Sequence, residues 1–100
     1  MAITSSVGDN GNTVTISING RFDFNDHTAF RDAYRDASGS AKFVLDMAGT
    51  EYMDSSALGM LLLLREHAGG DKADISIAGC KPEIKKILTI ANFQKLFNIR

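Results

Sequence analysis

Between Lys42 and Arg65 the chain reads KFVLDMAGTEYMDSSALGMLLLLR, and this stretch restricts the possible folds more than any other. Phe43-Val44-Leu45, inside a strand over Lys42–Asp46, is a short unbroken apolar run of the kind expected where helices cover both faces of a sheet. A loop over Met47–Met53 follows. Asp54-Ser55-Ser56 then opens a strongly apolar helix that stops at Gly69-Gly70. A carboxylate and two hydroxyls therefore sit at a helix N-terminus. Asp and Ser are preferred capping residues there, and the free N–H groups and positive dipole end also favour an added anion.

Met60-Leu61-Leu62-Leu63-Leu64 is a physical oddity, because five successive residues at about 100° each go all the way round a helix. They cannot all face one sheet. Leu58, Leu61 and Leu62 fall on one stripe with Arg65 next in line, so Met60, Leu63 or Leu64 must point elsewhere. Either flanking helices cover them, or they form an exposed apolar strip beside the polar helix start, a protein-binding surface.

The rest of the chain supplies neighbours for this unit. Ile3–Val7 and Thr13–Ile18 flank GDNGN, a turn-forming tract, and Val14, Ile16 and Ile18 alternate with polar residues, so a β-hairpin opens the chain. Gly20-Arg21-Phe22-Asp23 leaves the second strand, and Asn25 or Asp26 can cap a helix whose apolar positions are Phe30, Ala33, Tyr34 and Ala37. Ile75-Ser76-Ile77 gives a further strand. Pro82 starts a helix with Ile84, Ile87, Leu88 and Ala91 on one face, followed by turns over Phe93–Phe97 and a short last strand at Asn98–Arg100. The order ββαβαβα implies an α/β fold: a mixed sheet with a parallel centre and helices packed on it.

At 100 residues and 44% hydrophobic, the sequence is expected to form one domain over 1–100 with one core. The apolar run Ala57–Leu64 is too short to span a bilayer and Met1–Val7 lacks the marks of a secretory signal, so a cytoplasmic protein is expected. Lone Cys80 suits a reducing compartment. The net charge of −1 is unevenly spread: Met1–Asp54 carries −4 and Ser55–Arg100 carries +3. No dense basic stripe with interleaved aromatics appears, so nucleic acid is not an expected partner, and Lys81, Lys85 and Lys86 read as a solvated helix face.

Enzyme constellations are missing. His27, His67 and Cys80 lack metal-ligand spacing, and no nucleophile elbow or phosphate-binding glycine loop occurs. Asp54 beside Ser55 and Ser56 is no triad, because a serine nucleophile needs a base within hydrogen-bond reach. Catalysis, metal and cofactor are not expected. Modification is what remains. A phosphate on Ser55 or Ser56 would add about −1.5 to −2 charges at a helix start that tolerates them. The domain would survive this, whereas a partner reading the neutral surface would have to bury a charge unmatched.

Tyr52-Met53-Asp54-Ser55-Ser56-Ala57-Leu58-Gly59-Met60-Leu61, preceded by Val44-Leu45-Asp46, resembles the STAS domain of bacterial anti-sigma factor antagonists. Gly20-Arg21-Phe22-Asp23 and Ile75–Phe97 look like that family's second-strand end and closing elements. The resemblance implies that Ser56 is phosphorylated by a partner that is both serine kinase and anti-sigma factor, and dephosphorylated by a metal-dependent serine phosphatase. It implies that Asp23 and Asp54 lie near the acceptor and help form the kinase-binding surface, with Ser55 as a cap or neighbour and Leu58, Gly59 and Met60 completing the contact. The unphosphorylated form would bind the anti-sigma factor and release the sigma factor, without cofactor, nucleic acid or membrane, as a monomer. A STAS scaffold or transporter-associated subunit without a phospho-switch is the alternative. Two positions depart from the pattern: Ala57, where Gly is frequent, and Asn92, where the last helix often ends in Gly.

Overall fold

The computed structural model describes residues 2–100. β1 (Ile3–Gly8) and β2 (Thr13–Ile18) pair antiparallel in unbroken register from Ile3↔Ile18 to Gly8↔Thr13. Their turn holds Asn10 and Gly11 in the left-handed region, at φ 57° and 90°, which these two residue types enter with least strain. β4 (Lys42–Asp46), β6 (Ile75–Ala78) and β7 (Asn98–Ile99) add parallel strands in the order β1-β2-β4-β6-β7. The expected mixed sheet with a parallel centre is what forms. α1 (His27–Tyr34), α2 (Ser55–His67) and α3 (Pro82–Ile90) pack on it.

The core lies on one face of the sheet. Val14, Phe43 and Ile75 form one buried row across three strands, and Ile16, Leu45 and Ile77 form the next. Phe30, Leu61, Leu64, Ile84 and Leu88 close over them from the helices. The opposite face carries Thr15, Val44 and Ser76 in register, all half-buried. Val44 therefore does not lie under a second helical layer as its apolar run suggested. The strands alternate between a buried apolar face and a hydroxyl-rich one, and Val44 is simply the β-branched member of the second.

A second ladder was not legible in the sequence. β3 (Gly20–Phe22) pairs in parallel with β5 (Thr50–Met53), the segment expected to be loop. β5 is buried only at its two ends, so it lacks the period-2 signature of a strand. Its position is fixed by the turn that precedes β3. A side chain at Gly49 would run into the Asn19 amide, Gly20 donates its N–H to the Gly49 carbonyl at 2.8 Å, and Thr50 Oγ1 donates to the Ile18 carbonyl at 2.7 Å. Lys81, the residue before α3, holds the same loop, its Nζ donating to the Ala48 carbonyl at 2.9 Å.

Helix α2 is rotated about a quarter turn from the expected stripe. Ala57, Met60, Leu61, Leu64 and Ala68 are buried, Leu58 is half-buried against the core, and Leu62 and Leu63 are 40% and 62% exposed. Met60 turns inward because α1 offers it Phe30 and Tyr34 across a small cleft. At the chain's end, Asn92 takes the left-handed conformation, φ 63°, that terminates α3.

Thr50 is fully buried, and its hydroxyl ties the two ladders together. Thr50→Val keeps the shape and removes the donor. It is expected to lower the urea-unfolding free energy by about 1–2 kcal/mol at unchanged m-value; an unchanged midpoint would mean that the bond does not hold β5.

Candidate functional site

The parallel register Phe22↔Met53 makes Asp23 and Asp54 the next residues beyond the same end of the β3–β5 ladder. Each leaves its strand in extended conformation and caps the helical turn that follows. Asp23 accepts from the Asn25 N–H at 3.0 Å, and Asp26 returns a carboxylate oxygen to the Asp23 N–H at 3.2 Å. The capping thus falls on Asp23, one turn earlier than Asn25 or Asp26, at a 3-10 turn over Phe24–Asp26 that leads into α1. Reciprocal capping of this kind needs an acid three residues after the cap, which Asp23 and Asp26 supply.

Asp54 does two things with one oxygen. Its Oδ1 accepts from the Ala57 N–H at 3.1 Å, capping α2, and from the Ser56 hydroxyl at 2.6 Å. Both bonds favour the ionised form. The Ser56 hydroxyl first, and the Ala57 N–H second, hold the Asp54 carboxyl below the usual carboxylate range. Ser56 is half-buried and already oriented by Asp54, whereas Ser55 is exposed and points away from the core. At helical spacing Ser56 lies on the same flank as Leu63, facing α1, and Ser55 lies in line with Gly59, Leu62 and Glu66.

The surface around these hydroxyls is apolar in patches. Phe24 is 64% exposed and stacks on His27 at 4.6 Å between ring centroids. The Arg21 guanidinium lies 4.1 Å from the Tyr52 ring centroid, two rungs back along the ladder from the two aspartates, and reaches Asp23 at 3.5 Å. Exposed Leu62 and Leu63 continue the patch along α2. Of the residues expected here, Asp23, Asp54, Ser55, Ser56 and Gly59 reach the surface and Leu58 reaches it partly. Met60 does not: it is only 7% exposed, and the large apolar side chains that α2 exposes are Leu62 and Leu63. Arg21, Phe24 and Tyr52 were missed. The signal for them was β5 itself, since only its pairing with β3 brings Arg21 and Tyr52 together.

Gly59 stands on the exposed side of α2 with nothing near the place a Cβ would take. A helix interior gains nothing from glycine, and this gap leaves room for another surface to approach the backbone closely. Elsewhere, His27 and His67 bond backbone carbonyls of Phe24 and Ala37, and burial pushes the Cys80 thiol up, keeping it protonated. Among the described residues no group of His, Cys, Asp and Glu gathers to hold a metal, and no helix is long and apolar enough to cross a membrane.

A family model described as Mlab, STAS domain, matches residues 5–98. The chain belongs to the STAS domain family. A STAS-domain containing protein of Pseudomonas aeruginosa (strain UCBPP-PA14) is 56% identical over 99% of both chains. Among solved structures, the anti-sigma factor antagonist SpoIIAA in its unphosphorylated form matches with a TM-score of 0.76 at 19% identity, over 99% of this chain and 87% of that one. The Bacillus cell fate determinant SpoIIAA in the phosphorylated form matches with a TM-score of 0.68 at 15% identity, over 99% and 91%. At these identities the structural likeness establishes the fold, and the STAS fold seen here is the SpoIIAA-like one.

Two outcomes test the geometry. A carboxyl whose folded value is depressed stabilises the fold above its ordinary value of about 4 and loses that contribution as pH falls through the folded one. Wild type should therefore lose more stability between pH 7 and pH 3 than Asp54→Asn, and Ser56→Ala should narrow the difference; parallel acid limbs in urea unfolding would exclude the ionised cap. Separately, Gly59→Ala should raise thermal stability by up to about 1 kcal/mol, since the helix gains propensity and no clash.

Proposed function

We propose that the chain is an anti-sigma factor antagonist that works by partner switching, with Ser56 as its switch. The unphosphorylated form binds a protein that is both anti-sigma factor and serine kinase, and so releases the sigma factor. Transfer of phosphate to Ser56 ends binding, and a serine phosphatase restores it. Asp23, Asp54, Ser55, Ser56, Leu58 and Gly59 form the contact surface, extended by Arg21, Phe24, Tyr52, Leu62 and Leu63. The domain, one unit over 1–100, acts as a cytoplasmic monomer by binding and carries out no turnover of its own.

The observation that carries this reading is the bond between the Ser56 hydroxyl and Asp54 at the half-open start of α2. A phosphate there loses that bond and faces the Asp54 carboxylate, while the helix N–H groups and dipole keep the domain folded. The partner bears the cost instead, because closing over a double charge without a matching cation is unfavourable by several kcal/mol. A likeness to a protein known in both unphosphorylated and phosphorylated forms supports the same reading.

The experiment immobilises Ser56→Ala and Ser56→Asp side by side, passes the soluble extract of the native host over each, and identifies what is retained by mass spectrometry. A kinase-like anti-sigma protein should stay on Ser56→Ala and bind Ser56→Asp at least about tenfold more weakly, equivalent to about 1.4 kcal/mol. Equal retention on both baits would reduce Ser56 to a helix residue and make the chain a constitutive scaffold.

A further inference from the structure

The two edges of the five-stranded sheet are unlike. β7 is two residues long and is followed by Arg100, so it offers almost no ladder. β1 is six residues long, pairs with β2 without a bulge, and contains no proline, lysine or arginine in Ile3–Gly8. Short length, bulges, Pro and Lys are the devices by which proteins protect an edge strand, and β1 has none of them. In an antiparallel pair every second residue of the outer strand turns its N–H and C=O away from its partner. β1 therefore presents a row of such groups.

A groove runs beside this edge. Ile3, Ser5 and Val7 point to the side of the sheet that α1 covers, but α1 and the turn after it meet them with Ala29, Ala33 and Ala37, too small to close the gap. Two clefts of about 530 and 230 Å³ result, joined at Asp32 and Ala33, and Val7 is left 66% exposed. Among the described residues, the charged side chains lining them are Asp32 and Asp36. Arg35 reaches just one oxygen of each, at 3.1 and 4.0 Å. On the other side of β1, Thr4 and Ser6 continue the hydroxyl-rich sheet face through their partners Ser17 and Thr15.

We propose that β1 and α1 form a docking groove for an extended basic segment of a partner protein, which adds to the sheet as a sixth strand. Main-chain bonds to β1 provide the ladder. Side chains facing α1 alternate between apolar residues against Val7 and Ala33 and a Lys or Arg against Asp32 and Asp36. Side chains on the other face are small and polar, matching Thr4 and Ser6. A second copy of this chain is disfavoured as occupant, because two such acidic rims would meet.

The test titrates the isotope-labelled full chain with the peptide acetyl-KTVTKTV-amide and follows backbone amide signals by NMR. Shifts should gather on Ile3–Gly8 and on the Ala29–Ala37 side of α1. Binding should weaken about fivefold to tenfold in Asp32→Asn/Asp36→Asn, since two exposed charge pairs are lost, and should be unchanged in Ser56→Asp, which separates this groove from the switch. The same peptide methylated on alternate backbone nitrogens should not bind. The proposal falls if acetyl-ETVTETV-amide binds as well, if the shifts map to α2 or to the open sheet face, or if no signal moves. It falls equally if sedimentation shows a dimer of the chain that Ser5→Pro dissociates, because a second copy then fills the groove.

Discussion

Gly49 approaches Asn19 so closely that no side chain could stand there, and the placement of both capping aspartates depends on that contact. The approach lets Gly20 bond to Gly49 and Thr50 bond to Ile18, which sets the start of β5 beside the start of β3. Parallel register then does the rest. Because Phe22 pairs with Met53, the chain delivers Asp23 and Asp54 to one end of one short ladder, and each starts a helical turn there. The site is thus held by backbone geometry at the far end of the same short ladder, with Lys81, just before α3, fastening the outside of the same loop.

Much of this was legible in the sequence because one-sided burial leaves a period. The alternation in Val14-Thr15-Ile16-Ser17-Ile18, the cap at Asp54-Ser55-Ser56 and the closing glycines at 69 and 70 marked β2 and α2 where they stand. What failed were the places where the period is lost. Phe43-Val44-Leu45 is apolar throughout, so the run could not reveal that Val44 faces away from the core. Met60–Leu64 is apolar all round, so the burial of Met60 was decided by α1 packing alongside, which no local pattern records. β5 spans four residues buried only at its ends, and its existence depends on a partner thirty residues upstream. The site residues near Ser56 were readable in order along the chain; Arg21 and Tyr52 were not, since they become neighbours only through that pairing.

The uneven charge of the two halves also becomes spatial. Asp32 on α1 and Asp36 just after it lie beside β1, while Lys81, Lys85 and Lys86 lie at the start of α3, whose continuation leads into β7 at the opposite edge. Asp32 and Asp36, both within reach of Arg35, thus stand beside the long bare edge, and the three lysines belong to the segment that leads to the short one. Electrostatics of this kind guide encounter more than they set affinity.

A switch at the start of α2 has to alter binding by more than it alters folding, and the local energies meet that condition. A helix N-terminus favours a nearby anion by about 0.3–1 kcal/mol, which offsets part of the repulsion a phosphate on Ser56 would feel from Asp54. Both groups remain open to water, so the repulsion is screened, and a folding free energy of about 5–15 kcal/mol tolerates the remainder. A partner closing over Leu62, Leu63 and Gly59 removes that water. The same phosphate then has to be buried against a carboxylate, and an unmatched buried charge costs about 2–5 kcal/mol or more. In the proposed switch Asp54 would therefore serve both states: it caps the helix and orients the neutral hydroxyl, and it would make a phosphorylated form intolerable only where a partner excludes solvent.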